Sequence, residues 1–261
     1  MKIPLYQVDA FASRVFSGNP AAVCILEEWL DENLLQSIAA ENNQSETAFV
    51  VPRGQMFDLR WFTPATEVAL CGHATLAAAF VLFNVYHYPE KTIFFQTSQR
   101  GRLGVTRKDG LLELDFPSMS VHDQPAPDGL AEALRIEPHQ VYGSADDLLA
   151  VFGSEEDVRG IQPDFSRLEQ VDCRGVIVTA AGDECDFVSR FFGPQVGIPE
   201  DPVTGSAHCV LTPYWAQRLG KNRLRALQVS RRGGELFCEN AGDRVRISGG
   251  AVMYMQGEIN I

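Results

Sequence analysis

Two glycines stand where backbone alone can hold the carboxylate of a ligand. Gly72, in Cys71-Gly72-His73-Ala74, and Gly205, in Thr204-Gly205-Ser206-Ala207, each open an apolar run with helical character. A missing side chain there lets an anion approach the free amides of the first helical turn. Either glycine alone reads first as a tight turn, but their repetition points to a site, and two such ends facing one cleft would trap a carboxylate. His73, on the first turn, is either a structural histidine or a proton-transfer group, and the helix dipole at that end favours its neutral ring. Asp201, in Pro199-Glu200-Asp201-Pro202, suits a helix cap as well as a catalytic carboxylate. Glu46, in Asn43-Gln44-Ser45-Glu46-Thr47, has by default the fate of a solvated loop carboxylate.

The elements around these residues can be read from periodicity. Alternation at Ile3-Pro4-Leu5-Tyr6-Gln7-Val8, the turn Gly18-Asn19-Pro20 and the run Ala21 to Leu26 predict paired strands. After the N-cap Asp31, Leu34, Leu35, Ile38 and Ala39 recur at helical spacing, and the helix should end near Asn42-Asn43. Thr47 to Val51 is a predicted strand, which puts Glu46 at its joint with the preceding loop, where a rigid element can fix the side chain. A strand at Phe57 to Phe62 leads through a loop to Cys71-Gly72-His73 and a helix that is apolar on every face. Such a helix must be enclosed, since a surface helix shows a polar stripe. Further strands are predicted at 92–97, 102–106, 111–116, 147–152, 175–180 and 186–192, with a short helix at 131–134. Pro213 should kink the helix that begins near Gly205.

An internal echo divides the chain. Arg60-Trp61-Phe62-Thr63-Pro64 is matched 130 residues later by Arg190-Phe191-Phe192-Gly193-Pro194, and Cys71-Gly72-His73-Ala74 is matched 133 residues later by Thr204-Gly205-Ser206-Ala207. A strand, loop, glycine and helix repeated at half the chain length predicts two homologous halves, with a site where they face each other. Pro117, Pro125 and Pro127 mark the linker. The expected halves are 1–118 and 119–250, with the C-terminal strand, about 251–261, returning to the first.

The formal net charge is -12, from 22 basic and 34 acidic residues in 261. That balance argues against a nucleic-acid or anionic-membrane partner, both of which need a basic face. No signal peptide is read at Met1 to Tyr6, and the most apolar run, Ala74 to Phe83, falls well short of the roughly 20 residues of a membrane span. Six scattered cysteines without a CxxC pair fit reduced thiols, so a cytoplasmic protein is expected.

Val8-Asp9-Ala10-Phe11, Gly18-Asn19-Pro20-Ala21-Ala22-Val23, Ser45-Glu46-Thr47-Ala48-Phe49, Phe62-Thr63-Pro64, Gly72-His73-Ala74 and Asp201-Pro202-Val203-Thr204-Gly205-Ser206-Ala207 occur in this order. Together they resemble the phenazine-biosynthesis PhzF-like family, from about Val8 to the C-terminal strands, with nothing matched between Pro117 and Asp172. The resemblance implies the diaminopimelate-epimerase-like fold, an α/β (α+β) architecture of two similar domains, each wrapping strands round a central helix. It also implies a homodimer, no cofactor and no metal, and the chemistry of an isomerase in which a glutamate shuttles a proton between carbons of a dihydro-hydroxyanthranilate. Carried over residue by residue, that glutamate is Glu46. Asp201 and His73 join it as catalytic residues, and Gly72, His73, Thr204, Gly205 and Ser206 bind a small carboxylate substrate. An acid that protonates carbon near neutrality should have its pKa raised by burial or by a nearby carboxylate such as Asp201, so a partly protonated Glu46 is expected.

Two-base racemases of the same superfamily place a thiol at the start of each central helix. Here Cys71 fills the first position but Thr204 the second, and a hydroxyl cannot supply thiol–thiolate chemistry near neutrality. Cys71 is therefore expected to line the pocket or pack. The alternatives are a non-catalytic small-ligand-binding or scaffold protein that retains the fold, and a metal hydrolase on Cys71, His73 and His208, which has neither HExxH nor paired CxxC spacing.

Overall fold

The opening hairpin sets the frame for the first half. The computed structural model describes residues 1–261. β1 (Lys2–Ala10) pairs antiparallel with β2 (Asn19–Ile25). The chain turns into β2 at Gly18, φ +67°, where a Cβ would lie 2.1 Å from the Ala10 carbonyl oxygen, so only glycine serves. Helix α1 (Glu32–Asn42) starts on Asp31, whose carboxylate accepts from the Asn33 amide, and stops at Asn43 in the left-handed region. β3 (Glu46–Arg53) runs parallel to β2, and β4 (Met56–Phe62) returns antiparallel to β3. A short β5 (Glu67–Val68) adds antiparallel to β4 and leads to α2 (Gly72–Asn84). β6 (Thr92–Thr97) lies parallel to β4, and β7 (Gly101–Lys108) and β8 (Leu111–Pro117) follow as a meander. The last strand of the chain, Ala251–Asn260, pairs antiparallel with β1.

The chain divides into two compact units, and these elements make the first, Met1–Asp115 with Ser248–Ile261. Its α2 touches β1, β2, β3, β7 and the last strand. That enclosure is why Ala74 through Ala79, Val81, Leu82 and Phe83 are all buried. On the other face of the sheet, Leu35, Ile38 and Ala39 of α1 pack with Cys24, Phe49, Val51 and Phe62. Because strand side chains alternate, β3 is covered on both faces, and its first six residues, Glu46 included, are buried.

The second unit, Phe116–Ile247, repeats this order. After β9 (His122–Asp123), α3 (Leu130–Leu134) and β10 (Gln140–Gly143), β11 (Asp147–Val151) enters, followed by α4 (Glu155–Gly160) and α5 (Phe165–Leu168). β12 (Gly175–Ala181) runs parallel to β11, and β13 (Phe187–Gly193) antiparallel to β12. β14 (Ile198–Asp201) adds to β13, then come α6 (Gly205–Leu219) and β15 (Arg223–Gln228), parallel to β13. β16 (Gly234–Asn240) returns antiparallel to β15, and β17 (Arg244–Gly249) leads to the last strand, β18. The sequence of parallel pair, hairpin, short added strand, glycine-led helix and parallel strand is thus the same in both units. The long stretch without motifs, 117–172, supplies Leu130, Ala133, Leu134, Val158, Ile161 and Leu168 to the core that covers the outer face of β11, β12 and β13.

The echoed arginines have a common task. Arg60 of β4 donates from Nε and Nη2 to both carboxylate oxygens of Glu67 on β5, at 2.7 and 2.6 Å. Arg190 of β13 does the same to Glu200 on β14, at 2.7 and 3.1 Å. Each guanidinium also lies over the phenylalanine two positions on, Phe62 or Phe192, at 5.0 and 4.9 Å from the ring centroid. A bidentate fork therefore ties down the short strand that delivers the chain to each central helix.

Pro213 leaves α6 a single element of 15 residues. The carbonyl four residues back, that of Cys209, cannot receive a helical amide from proline, and it accepts the Met119 amide at 3.1 Å instead. No helix is long and apolar enough to cross a membrane.

Candidate active site

In the first unit, Glu46 opens β3 in register with Ala21 of β2, and His73 is the second residue of α2. Pairing and helix seating bring them together, with Glu46 Oε2 3.1 Å from His73 Nε2. Both are buried, at 8% and 4% exposure. Glu46 Oε2 accepts no aligned hydrogen bond, so the contact is that of an ion pair with an acceptor position to spare. Asn19, at the start of β2, places Nδ2 3.1 Å from His73 Nδ1, and Ser45 Oγ stands 3.5 Å from Asn19 Oδ1. An amide in that place suits either state of the ring, donating through Nδ2 to a neutral imidazole or, turned over, accepting through Oδ1 from an imidazolium. Cys71, the N-cap of α2, makes no side-chain cap; its Sγ lies 3.5 Å from His73 Nδ1 and 3.9 Å from Nε2.

The electrostatics reverse two expectations. Burial pushes the Glu46 carboxyl up, but the His73 charge and the polar contacts of His73 and Cys71 outweigh it and hold the group below its usual value. Burial also works against a charged His73, yet Cys71 and Glu46 hold its pKa well above the ordinary histidine value. Both directions favour the charged pair, against the raised Glu46 and the neutral His73 ring that the sequence suggests. The Cys71 thiol is pushed up to about 11 by burial and by the Glu46 charge.

In the second unit, Asp201 ends β14, Thr204 is the N-cap of α6, and Gly205 and Ser206 begin the helix. Thr204 Oγ1 donates to Asp201 Oδ2 at 2.6 Å. Gln228, the last residue of β15 and fully buried, clamps the pair: Oε1 accepts the Thr204 amide at 2.8 Å, and Nε2 donates to the Asp201 carbonyl at 2.8 Å and to Thr204 Oγ1 at 3.1 Å. Ser206 Oγ accepts from Arg174 Nη2 at 3.4 Å, while Arg174 Nε donates to the buried Asp147 at 2.9 Å. Burial pushes the Asp147 carboxyl up against the pull of Arg174. His208 is a core residue of this unit, its Nδ1 2.8 Å from the Thr204 carbonyl and its ring against Phe187.

The first unit thus assembles Glu46, Cys71, Gly72 and His73, and the second Asp201, Thr204, Gly205 and Ser206. Asn19, Arg174, Asp147 and Gln228 were not expected. Asn19 sits in one of the matched blocks, where its turn role hid its side chain; Gln228 has no local signal.

The match over residues 8–257 is to the family described as phenazine biosynthesis-like protein, PhzC-PhzF. The chain belongs to the PhzC-PhzF family. An uncharacterised isomerase of Pseudomonas aeruginosa is 54% identical over 261 residues, the whole of both chains. A crystal structure of a PhzF family protein from Enterococcus faecalis superposes with a TM-score of 0.97 at 51% identity, again over all of both chains. The PhzC-PhzF fold extends to a hydroxyproline epimerase from Agrobacterium vitis, solved with bound trans-4-hydroxy-L-proline: TM-score 0.65, 12% identity, 99% of this chain and 92% of that one. The architecture is therefore the epimerase-like α/β fold. In this PhzC-PhzF protein the N-caps of the two central helices are Cys71 and Thr204.

Proposed function

We propose that the protein is an isomerase that moves a proton on carbon in a small carboxylate-bearing substrate, with Glu46 as the acid–base group and without a cofactor. The observation that supports this most is the Glu46 carboxylate: buried, 3.1 Å from His73 Nε2, held below its usual pKa, and with no aligned hydrogen bond to Oε2. A buried oxygen with an acceptor position to spare is an anomaly in a structural residue and a requirement in a base. When Glu46 takes a proton from carbon, the His73 imidazolium loses its partner, and its charge becomes available to the carbanion or enolate forming on the substrate. When the acid returns the proton to a second carbon, the pair closes again. The relatives' name of isomerase and the single thiol, Cys71 opposite Thr204 in the repeat, support one shuttling carboxylate rather than two thiols. Asp201 and Ser206, fixed by Thr204, Gln228 and Arg174, are read as substrate-holding groups, with the amides at Gly72 and Gly205 for the carboxylate. All six cysteines are free thiols, as a reducing cytoplasm would keep them.

The test is proton–deuterium exchange in D₂O, followed by NMR, across a panel of cyclic amino-hydroxy acids and amino acids, with Glu46→Gln beside the wild type. Exchange that disappears in Glu46→Gln supports the reading and reveals the substrate class. Tight binding without exchange in the wild type would replace it with a ligand-binding protein.

A further inference from the structure

The loop between β1 and β2, residues 11–18, leaves the first unit's sheet at the end that carries Glu46. Ala10 pairs with Asn19, so the loop projects beyond that pair. Asn19 places Nδ2 3.1 Å from His73 Nδ1, and Ala21, two residues on, pairs with Glu46. Three residues of chain span at most about 11 Å, which bounds the distance between the Phe16 and Asn19 Cα atoms.

Phe16 is the most exposed of the large apolar side chains, at 69%, and its φ is +68°. A bulky residue in the left-handed region is strained, and something must offset the strain. Phe11, in the same loop at φ +56°, is held by burial: its ring lies so close to Gly249 that a Cβ there would come within 2.4 Å of it. Phe16 has no such burial. Its conformation is imposed through the backbone, where its amide donates to Oδ2 of the buried Asp9 at 2.9 Å. Its ring meets that of Tyr254 in a T-shaped contact, centroids 5.6 Å apart. Tyr254 is itself turned by a bulge. Gln7 pairs with Met255 and Val8 with Met253, which leaves Tyr254 without a partner residue on β1, and half exposed. A left-handed phenylalanine and a bulged tyrosine thus direct two rings outward at one place, and bulges beside sites commonly serve to aim a side chain.

We propose that Phe16, backed by Tyr254, is a specificity-determining residue: its ring is the apolar contact for the body of a substrate whose reacting carbon sits at Glu46. The inference rests on the isomerase reading above and adds which carboxylates the site accepts, those with an apolar body over compact ones. A ring fixed before the ligand arrives loses little freedom on binding, a gain in affinity that gives the strained conformation a use.

Benzoate and acetate are the probes, since they share a carboxylate and differ in apolar body. Benzoate also has no proton on the carbon beside its carboxylate, so its binding is read apart from catalysis. In NMR titrations of the full chain, benzoate should shift the ring signals of Phe16, Tyr254 and His73 along one saturation curve. Phe16→Asn removes the ring and keeps the left-handed backbone, which asparagine tolerates. It should weaken benzoate roughly tenfold, the worth of one aromatic contact, and leave acetate unchanged. Phe16→Leu should restore part of the benzoate affinity, and Phe16→Asn should melt no lower than the wild type, because the ring closes no core. No saturable shift with benzoate, equal weakening of both probes, or a clear fall in Tm in Phe16→Asn overturns the proposal. Exchange absent from the wild type would defeat the isomerase reading and leave the benzoate preference standing. Exchange lost in Glu46→Gln but equal to wild type in Phe16→Asn for every substrate would defeat this inference alone.

Discussion

Glu46 Oε2 stands 3.1 Å from His73 Nε2, a contact that lowers the Glu46 pKa and, together with Cys71, raises that of His73. Burial is the larger single influence on Glu46 and raises its pKa; the imidazolium reverses it. Replacing His73 by Gln removes the countercharge and leaves the burial, so the Glu46 carboxyl should move from below 4.5 to above it. Carboxyl ¹³C chemical shifts across a pH titration read this directly. The variant should also lose about 10²–10⁴ of any exchange activity, the usual worth of positioned acid–base groups.

The same pair sets a pH window for stability. A depressed Glu46 contributes stability above its unfolded value near 4.5, lost as pH falls through the folded pKa. A raised His73 contributes stability below its unfolded value near 6.5, lost as pH rises through the folded one. The contribution should therefore be full between about 4.5 and 6.5. The difference in urea midpoint between wild type and Glu46→Gln should be greatest there and shrink on both sides.

His208 behaves oppositely. Burial holds its pKa down to about 4, against the help of the Thr204 carbonyl. Its depressed value means the unfolded chain takes up a proton before the folded one, so folding stability should fall as pH drops from 6.5 to about 4. The loss from this group reaches at most about 3 kcal/mol, at 1.36 kcal/mol per pKa unit. In His208→Gln that part of the acid slope should be absent in urea unfolding measured at stepped pH.

What the sequence revealed followed local rules. Asp31 and Asn43 bound α1 through capping chemistry, and the all-apolar character of α2 foretold its enclosure, because both signals lie within one element. α4 and α5, of six and four residues, are too short for a helical period to show. Gln228 reaches Thr204 only through the placement of β15, so nothing beside it in the chain marks it. At His73 the influence visible in the sequence is the weaker one. A helix dipole is worth about 0.3–2 kcal/mol, whereas a unit charge at 3.1 Å attracts with on the order of 5 kcal/mol at an effective dielectric of ~20. The dipole was visible in the order of residues; the charge contact was not, because tertiary pairing makes it.

The repeated forks should differ in worth. Arg190 is the more buried arginine and also donates to the Val158 and Ile161 carbonyls, at 3.2 and 2.7 Å, so its loss strands two backbone acceptors as well as Glu200. Arg60 binds Glu67 and the exposed Glu32. Arg190→Met should destabilise by about 3 kcal/mol, in the range for breaking a largely buried pair, and Arg60→Met by roughly 1–2. Glu200→Gln added to Arg190→Met should recover part of the loss, since the stranded charge is then gone. Denaturant midpoints of the four proteins test the ranking.

Glu46 has a counterpart in the repeat, and it is a glycine. Glu46 opens β3 with Thr47 opposite Phe62; Gly175 opens β12 with Val176 opposite Phe192. A Cβ on Gly175 would lie 2.3 Å from the Phe191 ring, so the second unit has no room for a side chain where the first has its carboxylate. Gly175→Ala should cost about 1–3 kcal/mol as an overpacked site, and Phe191→Leu in the same chain should relieve most of that. The functional counterpart concerns where the proton goes. With one carboxylate acting alone, the proton removed from one carbon is the proton delivered to the next, so isomerisation in D₂O should carry part of the substrate's own hydrogen into product. Two opposed bases would exchange it with solvent instead. Product with complete deuterium incorporation at every stage of turnover would therefore count against a single Glu46 shuttle, whereas measurable retention of protium would support it.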